Sequence, residues 1–184
     1  MTVAILFWNC GDSYQRVGEE KLTKRYPQGV AENFTLTYTE IDKKMSSQDS
    51  AASRVIAILK SPINEDYDNL GFKYKEFPKG LQVDFFDEKN QKSVITADYG
   101  IIYSQTNLID LRGNVVIESH DGKKLETPQL FWDRKNKWIF TEAIFRFTNP
   151  EDGTIMDGEG MDFNRELTLF NAQKTYGIVT ISDE

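Results

Sequence analysis

The sequence predicts an all-β domain of stacked antiparallel hairpins, closed as a sandwich, a jelly roll or an open barrel. Three observations carry that prediction. The apolar fraction includes 12 Phe, 8 Tyr and 3 Trp, and bulky aromatics interleaved with Val, Ile and Thr fit the pleated surface of a strand better than a helix face. From Phe77 onward, alternating segments recur at close intervals with turn chemistry between them. No stretch beyond about ten residues keeps a helical apolar period. At 184 residues the chain has single-domain size and can bury a core without disulfide or metal staples.

The elements follow in order. Residues 11–30 are polar, carry charges of both signs and contain Pro27, so they read as a linker. The β domain is placed at residues 31–184. Phe34-Thr35-Leu36-Thr37-Tyr38-Thr39 alternates apolar residues with threonine, the pattern of a half-buried strand. The Asn33-Phe34-Thr35 sequon inside it is read as coincidence. Residues 42–53 form a polar, Ser-rich loop, and Arg54 to Lys60 is a strand that Ser61-Pro62 is expected to stop. Phe77-Pro78-Lys79-Gly80 is a turn, after which Leu81, Val83 and Phe85 alternate with Gln82 and Asp84. Strands are expected over 94–103, 108–119, 125–132, 137–148, 154–163 and 167–171, with polar turns between them. Within the His120-Asp121-Gly122 turn, Asp-Gly supplies the positive φ values of a tight hairpin.

An internal repeat runs through these hairpins. Thr96-Ala97-Asp98-Tyr99 lines up with Thr127-Pro128-Gln129-Leu130 and then with Asp157-Gly158-Glu159-Gly160, in steps of about 31 residues. A hairpin cannot bury its apolar face alone, so stacked copies must share a continuous core. The expected shape is a long, twisted stack of strands with a lengthwise interior.

Composition excludes several functions. Lys and Arg total 22 against 29 Asp and Glu, a net charge of −7 with no basic stripe, which argues against nucleic acid as a partner. The single histidine, His120, sits in a hairpin turn, so no nucleophile has a positioned base. Acid pairs such as Asp157 with Glu159, or Asp98 with Asp110, read as scattered carboxylates on outward strand faces rather than a glycosidase pair. The segment Asp157 to Asp162 fails the spacing of a calcium loop. The chain is read as non-enzymatic, with no cofactor and no metal. At the N-terminus, the run MTVAILFW precedes Cys10. It is too short to cross a bilayer core, and reads as a truncated lipoprotein signal that places Cys10 for lipidation, as the stub of a membrane anchor, or as a misplaced start.

Several fragments carry a family resemblance. They are Phe77-Pro78-Lys79-Gly80-Leu81 with Val83 and Phe85-Phe86, Thr96-Ala97-Asp98-Tyr99-Gly100, Arg112-Gly113-Asn114-Val115, Leu125-Glu126-Thr127 with Leu130 and Trp132-Asp133, and Gly158-Glu159-Gly160-Met161. In this order, over roughly residues 30–175, they resemble the LptC family of lipopolysaccharide export. LptC belongs to the OstA-like group with LptA and the N-terminal domain of LptD. The Ser-rich insert at 42–53 and the N-terminus depart from the family pattern. The resemblance implies a twisted, open β-jelly roll in the periplasm, anchored to the inner membrane. It implies a role in taking lipopolysaccharide from the inner-membrane Lpt ABC transporter and passing it along an apolar groove to LptA.

Alternation then supplies candidate residues for a lipid groove. Val83 and Phe85 share one face, and Ile95, Tyr99, Ile101 and Tyr103 another. Leu111, Val115 and Ile117 share a third, and Leu130 and Trp132 follow through the repeat. Phe145 and Phe147 are added from a strand whose facing stays open, because Trp138, Phe140 and Ile144 compete with them. By alternation alone these side chains read as packed sandwich core, and a structural or adhesion-type β-sandwich without a groove is the alternative. The resemblance is what makes them a lipid lining. Gly158 and Gly160, followed by Leu167, Thr168 and Leu169, are expected to mark an edge that pairs with LptA.

Overall fold

The computed structural model describes residues 24–41, 53–136, 138–164 and 169–178. Cys10, Leu167, Thr168 and nearly all of the Ser-rich insert lie outside them. Among the described residues, eleven strands form one antiparallel sheet: β1 (Gly29–Ile41), β2 (Ser53–Asp66), β3 (Tyr74–Phe77), β4 (Leu81–Phe86), β5 (Lys92–Ala97), β6 (Tyr99–Tyr103), β7 (Leu108–Glu118), β8 (Lys124–Asp133), β9 (Trp138–Asn149), β10 (Thr154–Asn164) and β11 (Phe170–Ile178). This is the all-β, jelly-roll-like fold that the aromatic, alternating sequence predicts.

The topology is a meander of long strands, each interrupted near its middle. β3 and β4 both pair with β2. β5 and β6 both pair with β7, at Thr96↔Val116 and Tyr99↔Arg112. The interruptions line up across the sheet. They pass through Asn33 and Pro62, the Pro78–Gly80 corner, Asp98, Gly113-Asn114, Pro128 and Gly160. This line is a crease along which the sheet folds back on itself, giving a β3 half and a β4 half. Bulges bend a strand and break its ladder locally, and positive φ at Asn33, Gly113, Asn114 and Gly160 provides the bend. Phe85 of the β4 half meets Trp132 of the β3 half edge to face, 4.6 Å between centroids, so the halves pack against one another.

The crease accounts for the repeat and for two departures from sequence expectation. The aligned tetrapeptides at 96–99, 127–130 and 157–160 fall on it. Pro62 does not stop β2, because it lies outside the ladder pairs on either side and no N–H is required of it. The single strand expected over 94–103 breaks at Asp98 into β5 and β6. Of the last expected strand, 167–171, Leu167 and Thr168 lie outside the described residues, and β11 runs over Phe170–Ile178. Leu169 precedes it in a bend, where its N–H donates to Asn164 Oδ1 at 3.0 Å.

Hydroxyl side chains satisfy carbonyls along the crease. Ser61 Oγ lies 2.6 Å from the Gly80 carbonyl, Thr141 Oγ1 donates to the Gln129 carbonyl at 2.6 Å, and Thr127 Oγ1 donates to the Ile144 carbonyl at 2.9 Å. A buried carbonyl without such a donor costs about 1–3 kcal/mol.

Candidate functional site

The candidate site is the interior between the two halves. Of the expected lining residues, Val83, Phe85, Ile95, Leu111, Val115, Ile117, Leu130, Trp132, Phe145 and Phe147 are buried in one apolar cluster. The facing left open along β9 resolves here: Phe145 and Phe147 point inward with Ile139, while Ile144 stands outside at 64% exposure.

Tyr99, Ile101 and Tyr103 correct the sequence reading. Ile95 and Ala97 are buried, but beyond the corner at Asp98 it is Gly100 and Ile102 that face the core. One extra residue at a bulge moves every following side chain to the opposite face. Tyr99, Ile101 and Tyr103 therefore lie on the outer face of the β3 half. The Tyr99 hydroxyl donates to Glu76 Oε1 at 2.7 Å. Burial first, and the Glu76 hydrogen bond second, raise the Tyr99 phenol above the usual range. The same flip occurs at Pro128 and Gly160, but not at Gly113-Asn114, where two residues are bulged and Leu111 and Val115 stay on one side.

Gly158 and Gly160 are also displaced from the role expected of them. Both are buried in β10, which pairs with β9 on one side and β11 on the other. They lie one strand inside the edge. Phe145 Cζ passes 2.6 Å from where a Cβ on Gly158 would stand, so close approach of an interior ring explains that glycine. The free edges among the described residues are β1 and β11, each paired on one side only.

Space between the halves opens as a mouth of about 470 Å³, lined by Tyr38, Glu40, Ile56, Ala57, Phe85, Asn107, Trp132, Arg134 and Lys135. Ile56, Ala57 and Phe85 come from the β4 half and Tyr38 from edge strand β1, while Asn107, Trp132 and Arg134 come from the far end of the β3 half. The Arg134 guanidinium sits over the Tyr38 ring, 4.9 Å from its centroid, and its Nη2 donates to Asn107 Oδ1 at 2.6 Å. Burial raises the Tyr38 phenol, against the charge and hydrogen bond of Arg134, which act to lower it. Inside, Trp132 Nε1 and Arg134 Nε are buried without a hydrogen-bond partner. Sequence reasoning placed Tyr38 on a strand and Arg134 in a polar turn, and nothing in either segment signalled that they meet.

Two larger hollows lie elsewhere. One, of about 760 Å³, follows the crease beside Ser61, Gly80 and Asp98. The other, of about 730 Å³, is lined by Val116, Ile144 and Tyr176. The second also touches Val115 and Phe145, but Phe85 and Trp132, which face one another across the two halves, line neither.

The sequence model of the family described as "Lipopolysaccharide-assembly, LptC-related" matches residues 79–175, from the corner before β4 into β11. The chain belongs to the LptC family. LptC proteins are periplasmic components of the Lpt system, acting in lipopolysaccharide transport rather than as enzymes. No curated protein matches the chain. The LptC match takes in every expected groove residue and the Trp132–Arg134 side of the mouth, while Tyr38 lies before it. Among the described residues, no helix is long and apolar enough to cross a membrane.

Proposed function

We propose that this LptC protein accepts lipopolysaccharide from the inner-membrane Lpt ABC transporter and passes it to LptA, sheltering the acyl chains between its two half-sheets. The observation that carries the proposal is the aromatic interior with a mouth at Tyr38 and Arg134. An acyl chain gains about 0.8 kcal/mol per buried methylene. Ten methylenes therefore contribute roughly 8 kcal/mol, a micromolar-class affinity. An apolar lining of similar quality at each station keeps successive transfers near neutral, so that ATP hydrolysis in the transporter sets the direction. Chains enter by parting Phe85 from Trp132, since the interior side chains otherwise fill the space themselves. LptA pairs with the free edge of β11, which leaves β1 for the transporter side. The N-terminal segment holds the protein at the inner membrane, through a lipid on Cys10 or a membrane anchor.

The close packing of the interior favours one other reading, a β-sandwich interaction module that holds no lipid. Photocrosslinking separates the two. A photoreactive residue at Phe85 or Ile117 should crosslink purified lipopolysaccharide, and one at Tyr103, on the outer face, should not. Equal labelling at interior and outer positions, or none anywhere, would choose the sandwich.

A further inference from the structure

Two of the four buried polar atoms without a hydrogen-bond partner among the described residues belong to the mouth: Trp132 Nε1 and Arg134 Nε, two residues apart at the end of β8. Lys135 adds an ammonium to the same lining. The carboxylate across the mouth, Glu40, is already paired with Arg54 at 3.7 Å, and Asn107 Oδ1 is taken by Arg134 Nη2. The atoms of this lining left without a partner are both donors, Trp132 Nε1–H and Arg134 Nε–H, above an apolar floor of Ala57 and Phe85. A donor-only set matches an oxyanion, and an adjacent floor of this kind matches a hydrocarbon chain.

We infer that the mouth is a subsite for an acidic group joined directly to an alkyl chain, a phosphate ester or a carboxylate. The oxygens take Trp132 Nε1–H and the Arg134 guanidinium, and the chain runs inward beneath Tyr38. To reach this state Arg134 exchanges the Tyr38 ring for the anion, so the cation–π contact is the resting state of the same arginine. The net charge of the whole protein is −7, so the anion is held by these local donors and not by the overall field. The subsite rests on the lipid-carrying reading above and adds to it where a head group is recognised.

The test is displacement of N-phenyl-1-naphthylamine from the purified protein by dodecyl phosphate, dodecanol and inorganic phosphate, with the amphiphiles below their micelle concentrations. Dodecyl phosphate should displace the probe at about tenfold lower concentration than dodecanol, the factor expected of one charge-assisted hydrogen bond. Inorganic phosphate should not displace it. Arg134→Gln should bring the ratio of the two amphiphiles toward one, and Trp132→Phe, which keeps the ring mass, should lower it. Lys79→Gln removes the same charge at the crease and should leave the ratio as in the wild type. Equal affinity for the two amphiphiles, or a ratio that survives Arg134→Gln, would overturn the subsite alone. Failure of both amphiphiles to displace the probe would overturn the lipid reading and the subsite with it.

Discussion

Gly158 shows how one position couples the interior to the edge of the sheet. A Cβ there would stand 2.3 Å from the Lys174 carbonyl of β11 and 2.6 Å from the Phe145 ring. The ring can turn, but the carbonyl is backbone and moves only if β11 moves. Gly158→Ala is therefore expected to destabilise the fold by about 1–3 kcal/mol, the usual range for overpacking, read as a lowered midpoint in denaturant. An unchanged midpoint would mean that β11 gives way without cost. The alternating glycines were visible in the sequence, but not that one admits a ring and the other, Gly160 at φ +77°, bends the strand.

At the scale of elements, the crease decides the behaviour of each strand. Bulges in β8 and β9 break the ladder between Glu126 and Phe131, and Thr127 and Thr141 meet the carbonyls left behind. Their hydroxyls lie 3.1 Å apart, and Thr141 Oγ1 also accepts the Ala143 N–H. Thr141→Val keeps the shape and removes both roles. It should cost about 1–3 kcal/mol, with faster amide exchange at Ala143 than in the wild type. If exchange there is unaffected, the hydroxyl is not what holds the corner. Alternation made each half-strand legible by itself, as with Val83 and Phe85 or Leu130 and Trp132. It failed where a strand crossed the crease through a single extra residue, because the number of bulged residues sets the facing beyond it. One residue at Asp98 turns Tyr99, Ile101 and Tyr103 outward, while two at Gly113-Asn114 return Val115 to the side of Leu111.

At the scale of the whole molecule, the sheet ends in two free edges among the described residues, β1 and β11, and the proposed transfer to a neighbour would pair one of them. Successive residues of a strand point their N–H groups to opposite sides, so of Gln173 and Lys174 one faces β10 and the other faces outward. Proline at the outward position removes a donor that β10 does not use. One of Gln173→Pro and Lys174→Pro should then abolish capture of LptA while keeping the wild-type thermal midpoint. The other should lower that midpoint through the β10–β11 ladder. Capture of LptA at wild-type levels by both variants would remove β11 from the interface.

The sequence alone determined that this chain is an all-β stack of antiparallel hairpins and a relative of LptC. Strand patterning and turn chemistry are local properties, written over a few neighbouring residues at a time. Only the tertiary structure decided that the stack creases into two facing halves, which aromatics look inward, and that Tyr38 and Arg134 close a mouth over Phe85 and Trp132. Those outcomes depend on bulges whose effect is felt strands away, and on contacts between segments that no local pattern connects.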